Sequence, residues 1–326
     1  MKKVVKIATY VLGLAVLLIA LLLTYVKIML PSVGKSPDMK IELTKEKVEH
    51  GKYLANHVMV CMDCHSTRNW TLFSGPPIIG TEGKGGEIFD QKLGFPGKYI
   101  ASNITPHHLG DWTDGEIFRA ITTGVSKDGR ALFSVMPHHN FGQLDKLDIE
   151  SVIAYIKGLA PIEFEPEKSS SDFPMNLIIN TIPKKAAFTA IPSVSNTINY
   201  GKYLVTASGC MDCHTKQDKG KFVGKRFAGG FEFKLQDGSV TTSSNITPDK
   251  ETGIGSWSKE KFITQFKMYS DSSYKLSRVN LGEFQTPMPW TMYAGMTADD
   301  LGAIYDYINN LEPVENSVMK FVSAKK

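Results

Sequence analysis

Apolar side chains fall along this chain in two clear rhythms. Residues 8–26 (ATYVLGLAVLLIALLLTYV) carry no charge, and as a helix they are long enough to cross a bilayer core of roughly 30 Å. Two later stretches place apolar residues at helical spacing: Ile149, Val152, Ile153, Ile156 and Leu159, then Leu301, Ile304, Tyr305, Ile308 and Leu311. Each predicts an amphipathic helix, and Thr297-x-x-Asp300 has the pattern of a capping box at the start of the second. Residues 46–57 also have helical composition. No alternating pattern of useful length predicts a strand, so an all-α, mainly helical chain is expected. Pro161, Pro166, Pro174, Pro183 and Pro192 forbid a continuous helix through 163–192. Yet Phe173-Pro174-Met175-Asn176-Leu177-Ile178-Ile179 is too apolar for a free linker. It is expected to pack across a seam between domains, with membrane contact as the alternative.

The second half restates the first. Gly51-Lys52-Tyr53-Leu54 returns as Gly201-Lys202-Tyr203-Leu204, and Ser102-Asn103-Ile104-Thr105-Pro106 as Ser244-Asn245-Ile246-Thr247-Pro248. Trp112 is matched by Trp257. Asp148, Tyr155, Leu159 and Pro161 recur as Asp300, Tyr307, Leu311 and Pro313. This predicts an N-terminal segment (1–30), a first domain (40–165), a linker (166–194) and a duplicate domain (195–318). Glycine inside a helix costs about 1 kcal/mol relative to alanine. Its repetition at Gly51 and Gly201 predicts that each opening helix touches the backbone of its closing helix, where Tyr155 and Tyr307 sit.

Charge narrows the classes. Of the 37 basic side chains, Lys2, Lys3, Lys6 and Lys27 flank the apolar run, leaving 33 basic against 33 acidic beyond it. A neutral body argues against nucleic acid as a partner. Lysines ahead of the run leave the N-terminus in the cytoplasm. The run exceeds the apolar region of a signal peptide and no small-x-small cleavage site follows it. A single-pass anchor in the cytoplasmic membrane, with the body on the periplasmic side, is expected.

Candidate chemistry lies in a pentapeptide that occurs twice. Cys-Met-Asp-Cys-His stands at 61–65 and 210–214, and the two copies use all four cysteines. Two thiols one turn apart can form thioethers with the two vinyl groups of a porphyrin, and the adjacent imidazole then lies under the iron. Structural zinc would gather four ligands from knuckle pairs, but these pairs stand 149 residues apart and each has its own trailing His. Two covalently bound haem c groups are expected, on Cys61 and Cys64 and on Cys210 and Cys213, with His65 and His214 as proximal iron ligands. Opening and closing helices crossing beside such a motif describe a class I cytochrome c domain, here in tandem.

Met136-Pro137 and Met288-Pro289 hold equivalent places in the repeat, and a proline-bounded loop aims a thioether well. Met136 and Met288 are therefore the expected distal ligands; Met292, Met296 and Met175 are fallbacks. His214 is the only histidine after residue 139. The first motif has His107, His108, His138 and His139 near it in sequence, expected as surface or propionate-side residues, with bis-His ligation as the alternative. Trp112 and Trp257 are expected to wall the haem or to pack in the core, and Asn103 and Asn245 to form turns. Lys216, Lys219, Lys221, Lys225 and Arg226 make a basic run, read as a solvated loop or as a docking face for an acidic redox partner.

On the haem motifs, Ser-Asn-Ile-Thr-Pro, Gly253-Ile254-Gly255-x-Trp257, Met-Pro and the closing Tyr155-Ile156 and Tyr307-Ile308 helices, the chain resembles the cytochrome c subunits of bacterial membrane-bound alcohol, aldehyde and gluconate dehydrogenases. The resemblance covers most of 45–315, with two haem motifs where that group carries three. It implies a periplasmic subunit passing electrons from a dehydrogenase towards quinone or another cytochrome. The expected partners are a dehydrogenase subunit, a quinol-linked complex or a terminal oxidase. A carrier rather than a catalyst is expected. The alternative, a dihaem cytochrome c peroxidase, needs a first haem whose distal site is vacant or His-ligated, and the symmetric Met136 argues against it.

Overall fold

The computed structural model describes residues 2–324. Helix α1 (Lys2–Ile28) buries none of its residues and is the one described helix long and apolar enough to cross a membrane. The first half then carries α2 (Lys45–Tyr53), α3 (Cys61–Cys64), α4 (Pro106–Leu109), α5 (Asp114–Thr123), α6 (His138–Phe141) and α7 (Lys146–Lys157). After α8 (Met175–Ile178), the second half carries α9 (Thr197–Ala207), α10 (Cys210–Cys213), α11 (Lys259–Lys267), α12 (Trp290–Tyr293) and α13 (Ala298–Asn309). Side chains of Thr44, Asp145, Asn196 and Thr297 accept from backbone N–H groups of the first turns of α2, α7, α9 and α13. Each cap satisfies a donor the helix leaves orphaned.

Each opening helix crosses its closing helix, α2 on α7 and α9 on α13. The crossing is as close as the glycines implied. A Cβ on Gly51 would stand 1.8 Å from the Ser151 carbonyl oxygen, and one on Gly201 would stand 1.9 Å from that of Ala303. The apolar stripes of the closing helices, Ile149, Val152, Ile153 and Ile156 with Leu301, Ile304 and Ile308, are buried together in the core.

Two expectations are corrected. The structure is mainly helical but not all-α: among the described residues, eight short strands form three small antiparallel sheets. In the first half β1 (Ile88–Phe89) pairs with β2 (Gly97–Ile100), and β2 with β3 (Ser170–Ser171). In the second, β4 (Gln217–Asp218) pairs with β5 (Lys221–Phe222), β6 (Glu232–Lys234) with β7 (Val240–Thr242), and β7 with β8 (Phe321–Val322). Strands of two to four residues leave no alternating signature to read. Second, the proline-rich connection does not lie across the seam as expected. It wraps the first half, pairing through β3 with β2 and returning through Ala187 N–H to the Gly142 carbonyl. Between those ties α8 packs against α1.

The halves meet instead through a reciprocal pair of hydroxyls. The Tyr53 hydroxyl donates to Asp300 and accepts from the Thr297 N–H. The Tyr203 hydroxyl donates to Asp148 and accepts from the Asp145 N–H. Each tyrosine of a Gly-Lys-Tyr-Leu repeat thereby caps the other half's closing helix. Burial is the main cause that raises both phenol pKa values, and the adjacent aspartates push the same way.

Candidate functional site

The chain enters both pentapeptides the same way. α2 loosens into a π-helical turn over Leu54–Val58, and Val60 takes a left-handed conformation (φ 46°) before Cys61. In the second half Gly209 takes that conformation (φ 63°) before Cys210. α3 and α10 are single turns whose cysteines stand three residues apart, with His65 and His214 immediately after.

Both imidazoles are oriented by a backbone carbonyl. His65 Nδ1 lies 2.7 Å from the Ser102 oxygen, and His214 Nδ1 lies 2.8 Å from that of Ser244. A carbonyl partner makes Nδ1 the protonated nitrogen and leaves the Nε2 lone pair free for a metal. Burial lowers both histidine pKa values, outweighing the carbonyl, and this favours the neutral ligating form. Gly85 and Gly229 let the chain pass this close: each donates its N–H to the carbonyl of the motif histidine, at positive φ. A Cβ on either would come within 2.5 Å of the serine segment.

The serine carbonyls are held by the asparagines, which form the expected turns. Asn103 is buried and accepts from the Thr105 N–H and hydroxyl while donating to the Ile162 and Phe164 carbonyls. Asn245 accepts from the Thr247 N–H and hydroxyl and donates to the Val314 carbonyl and the Thr252 hydroxyl. Each clamp ties the turn to the chain leaving the closing helix.

Met136 and Met288 occupy matched loops, half-buried against the core. Pro137 and Pro289 begin α6 and α12, and each methionine carbonyl accepts from the N–H two residues on, at 2.7 and 2.8 Å. Met292 and Met296 are buried in the core, and Met175 sits on α8 beside α1, away from the first motif. Trp112 and Trp257 pack partly buried against the core.

The histidines around the first motif divide. His107 and His108 pair with Glu165, and His139 with Asp212. His138 corrects the surface expectation: it is 1% exposed, its ring lies against Gly124, and its Nε2 has no partner. Burial drives its pKa down to about 4, with His139 adding to the effect. The basic run is exposed as the solvated-loop reading expects, around the β4–β5 hairpin with Phe222 and Val223.

Cys61, Cys64 and Cys210 are partly exposed and Cys213 is open to solvent on one side. Dense protein on their other sides pushes every thiol up to about 12. The surroundings disfavour thiolates and suit uncharged thioethers. Among the described residues, no three His, Cys, Asp or Glu side chains gather as a metal site. The donor set fits haem c: paired sulfurs on one turn, an imidazole with Nε2 free, and a thioether on a stiff loop.

What the sequence did not disclose is how the motifs meet. Asn140 Nδ2 donates to Asp212 of the second pentapeptide at 2.6 Å. Reciprocally, His57 beside the first pentapeptide bonds the Met292 carbonyl on α12. Each methionine loop thus packs on the other half's motif. Tyr293 is buried at this junction: its hydroxyl donates to the Ser208 carbonyl, and burial chiefly raises its pKa, with the Asp63 carboxylate adding to the effect. Asp63, by contrast, pairs within its own half with buried Arg68 at 3.0 Å. Burial raises its carboxyl to about 6, with Arg68 opposing.

Residues 198–312 match the cytochrome c family model. The chain is 28% identical, over 88% of its length, to the cytochrome c subunit of an alcohol dehydrogenase (quinone) from Gluconacetobacter polyoxogenes, of which it spans 59%. The corresponding subunit from Gluconobacter oxydans is 26% identical over 68% of this chain and 46% of its own length. The gluconate 2-dehydrogenase cytochrome c subunit of Pantoea cypripedii is 25% identical over 81% of this chain and 59% of its own. The chain therefore spans about half to three-fifths of the length of these relatives.

Proposed function

We infer that this relative of the cytochrome c subunits of quinone alcohol and gluconate dehydrogenases is a membrane-anchored dihaem electron carrier, taking electrons from a dehydrogenase on the periplasmic side of the cytoplasmic membrane. Two tandem domains, 40–165 and 195–318, each bind one haem. Cys61, Cys64, Cys210 and Cys213 would form the thioethers, and His65 with Met136 and His214 with Met288 would ligate the two irons. The observation that carries the reading is the twin lock of His65 and His214 on the Ser102 and Ser244 carbonyls. It fixes the same tautomer twice, one residue from the same asparagine clamp at Asn103 and Asn245.

Bound iron supplies one-electron chemistry, and a Met–His pair saturates it and raises its potential. The chain's own part is positional. The serine carbonyls hold the imidazoles, the prolines stiffen the methionine loops, and the Asn140–Asp212 and His57–Met292 hydrogen bonds tie each methionine loop to the other half beside its motif. The peroxidase alternative has less behind it: of the four histidines near the first motif, His107, His108 and His139 are paired with carboxylates, and only the buried His138 keeps an unpartnered Nε2.

The test is intact mass and CO binding of the full chain matured in a periplasm-exporting host. Two added haem masses are expected, falling to one in Cys210→Ala/Cys213→Ala. The unmutated protein is expected to reject CO, with Met136→Ala and Met288→Ala each opening one iron. A mass with fewer than two haems, or CO binding without mutation, overturns the reading.

A further inference from the structure

The connection 173–183 (FPMNLIINTIP) is without charge, and its apolar side chains do not join the core. Phe173 is 79% exposed and Ile178 45%, while Met175, Leu177, Ile179 and Ile182 are only partly covered. Such a continuous apolar stretch left open on a polar body marks a contact surface.

Its position says what covers it. α8 and the following 3-10 turn (Ile179–Thr181) pack against α1, and Asn180 Nδ2 donates to the Val26 carbonyl at 3.2 Å. That carbonyl lies in the last turn of α1, where helix geometry leaves it without an intrahelical partner. The arm is held at both ends by the first half, through β3 on β2 and through Ala187 and Thr189 on Gly142 and Gln143. It is therefore projected to the point where α1 leaves the body. Lys184 and Lys185 follow directly and are exposed, as cations at a headgroup layer are when their stems lie along apolar surface.

We propose that 173–183 is a second membrane contact, seated at the headgroup–acyl boundary beside α1 and fixing the tilt of the haem-bearing body over the bilayer. The occupant is lipid: the patch is apolar, continuous with the outer surface of a membrane-length helix, and bordered by lysines that suit anionic headgroups. The proposal rests on the anchored reading of α1.

The test uses the full chain reconstituted in phosphatidylethanolamine–phosphatidylglycerol vesicles. Nitroxide labels on Phe173→Cys and Ile178→Cys are compared with Leu281→Cys, an exposed leucine of the second half, and with Leu18→Cys in α1. Labels at 173 and 178 are expected to collide with oxygen at least severalfold more than with a water-soluble nickel chelate, and the label at 281 the reverse. Equal exposure to nickel at 173, 178 and 281 overturns the proposal, as does shielding at 173 and 178 that requires a partner subunit in native membranes. The label at 18 separates the two readings. If it lies in hydrocarbon while 173 and 178 lie in water, the contact fails and the anchor stands; if residue 18 is missing from the mature chain, the anchor fails.

Discussion

At the scale of single residues, the two halves solve one problem with different side chains. The chain must turn left-handed just before the first cysteine of each motif. Gly209 does so at no steric cost, but Val60 does so with a β-branched side chain at φ 46°, where an L-residue is strained by roughly 1–2 kcal/mol. Val60→Gly relieves that strain and gives up some chain stiffness in the unfolded state. A net stabilisation of about 1 kcal/mol is expected, read as a higher midpoint in chemical denaturation of the haem-loaded protein; a lower midpoint would show that Val60 packing outweighs the strain. Nothing in the local sequence around Val60 announces this turn. It becomes legible only by alignment with Gly209, and then only as a geometric demand that valine meets badly. His138 is a similar case: a histidine beside three others in sequence reads as surface, and only the fold shows that its ring fills the space over Gly124.

At the scale of elements, the recurring unit is a turn clamped to a tail. The Asn245 side chain makes four hydrogen bonds in a buried setting, and the Ser244 carbonyl it steadies is the one that orients His214. Asn245→Ala leaves several of those partners unpaired, at about 1–3 kcal/mol for each group that water cannot reach. On the dihaem reading, the expected outcome is a loss of at least about 2 kcal/mol in stability, together with a changed spectrum or potential only at the haem assigned to His214. An unchanged spectrum would mean that Ser244 is held without its neighbour. Much of this unit was readable beforehand: the repeated Ser-Asn-Ile-Thr-Pro marked the turn, and Gly51 and Gly201 marked the helix crossing that the structure contains. The strands were not readable. β3 and β8 have only two residues each and arise from tails with no apolar rhythm, so no pattern of their own announces their pairing. The apolar composition of 173–179 said that the segment must be covered, but could not decide between a domain seam and a membrane.

At the scale of the molecule, the seam converts two halves into one body. Tyr53 and Tyr203 each cap the opposite closing helix, and both aspartates they reach are buried. The repeat displayed both tyrosines and both aspartates, but a bond from one half to the other leaves no periodic trace. Tyr53→Phe/Tyr203→Phe is expected to cost a few kcal/mol and to separate one unfolding transition into two, followed by absorbance at the haems against far-UV dichroism. The same seam carries a pH dependence. His50 Nε2 lies 2.7 Å from Asp148, and that hydrogen bond, acting against burial, raises the His50 pKa above 6.5. A folded-state pKa above the unfolded value means that the protonated pair stabilises fully below pH 6.5 and that the contribution disappears as pH rises through the raised pKa. His57 works in the opposite direction, because burial lowers its pKa and folding then weakens as pH falls below 6.5. Comparing His50→Gln with the unmutated chain cancels the His57 contribution. The stability difference between them, measured by denaturant titration of the full chain in detergent, is expected to be largest on the acid side and to vanish at alkaline pH. A difference that stays constant across that range would show that His50 bonds Asp148 equally well protonated and neutral.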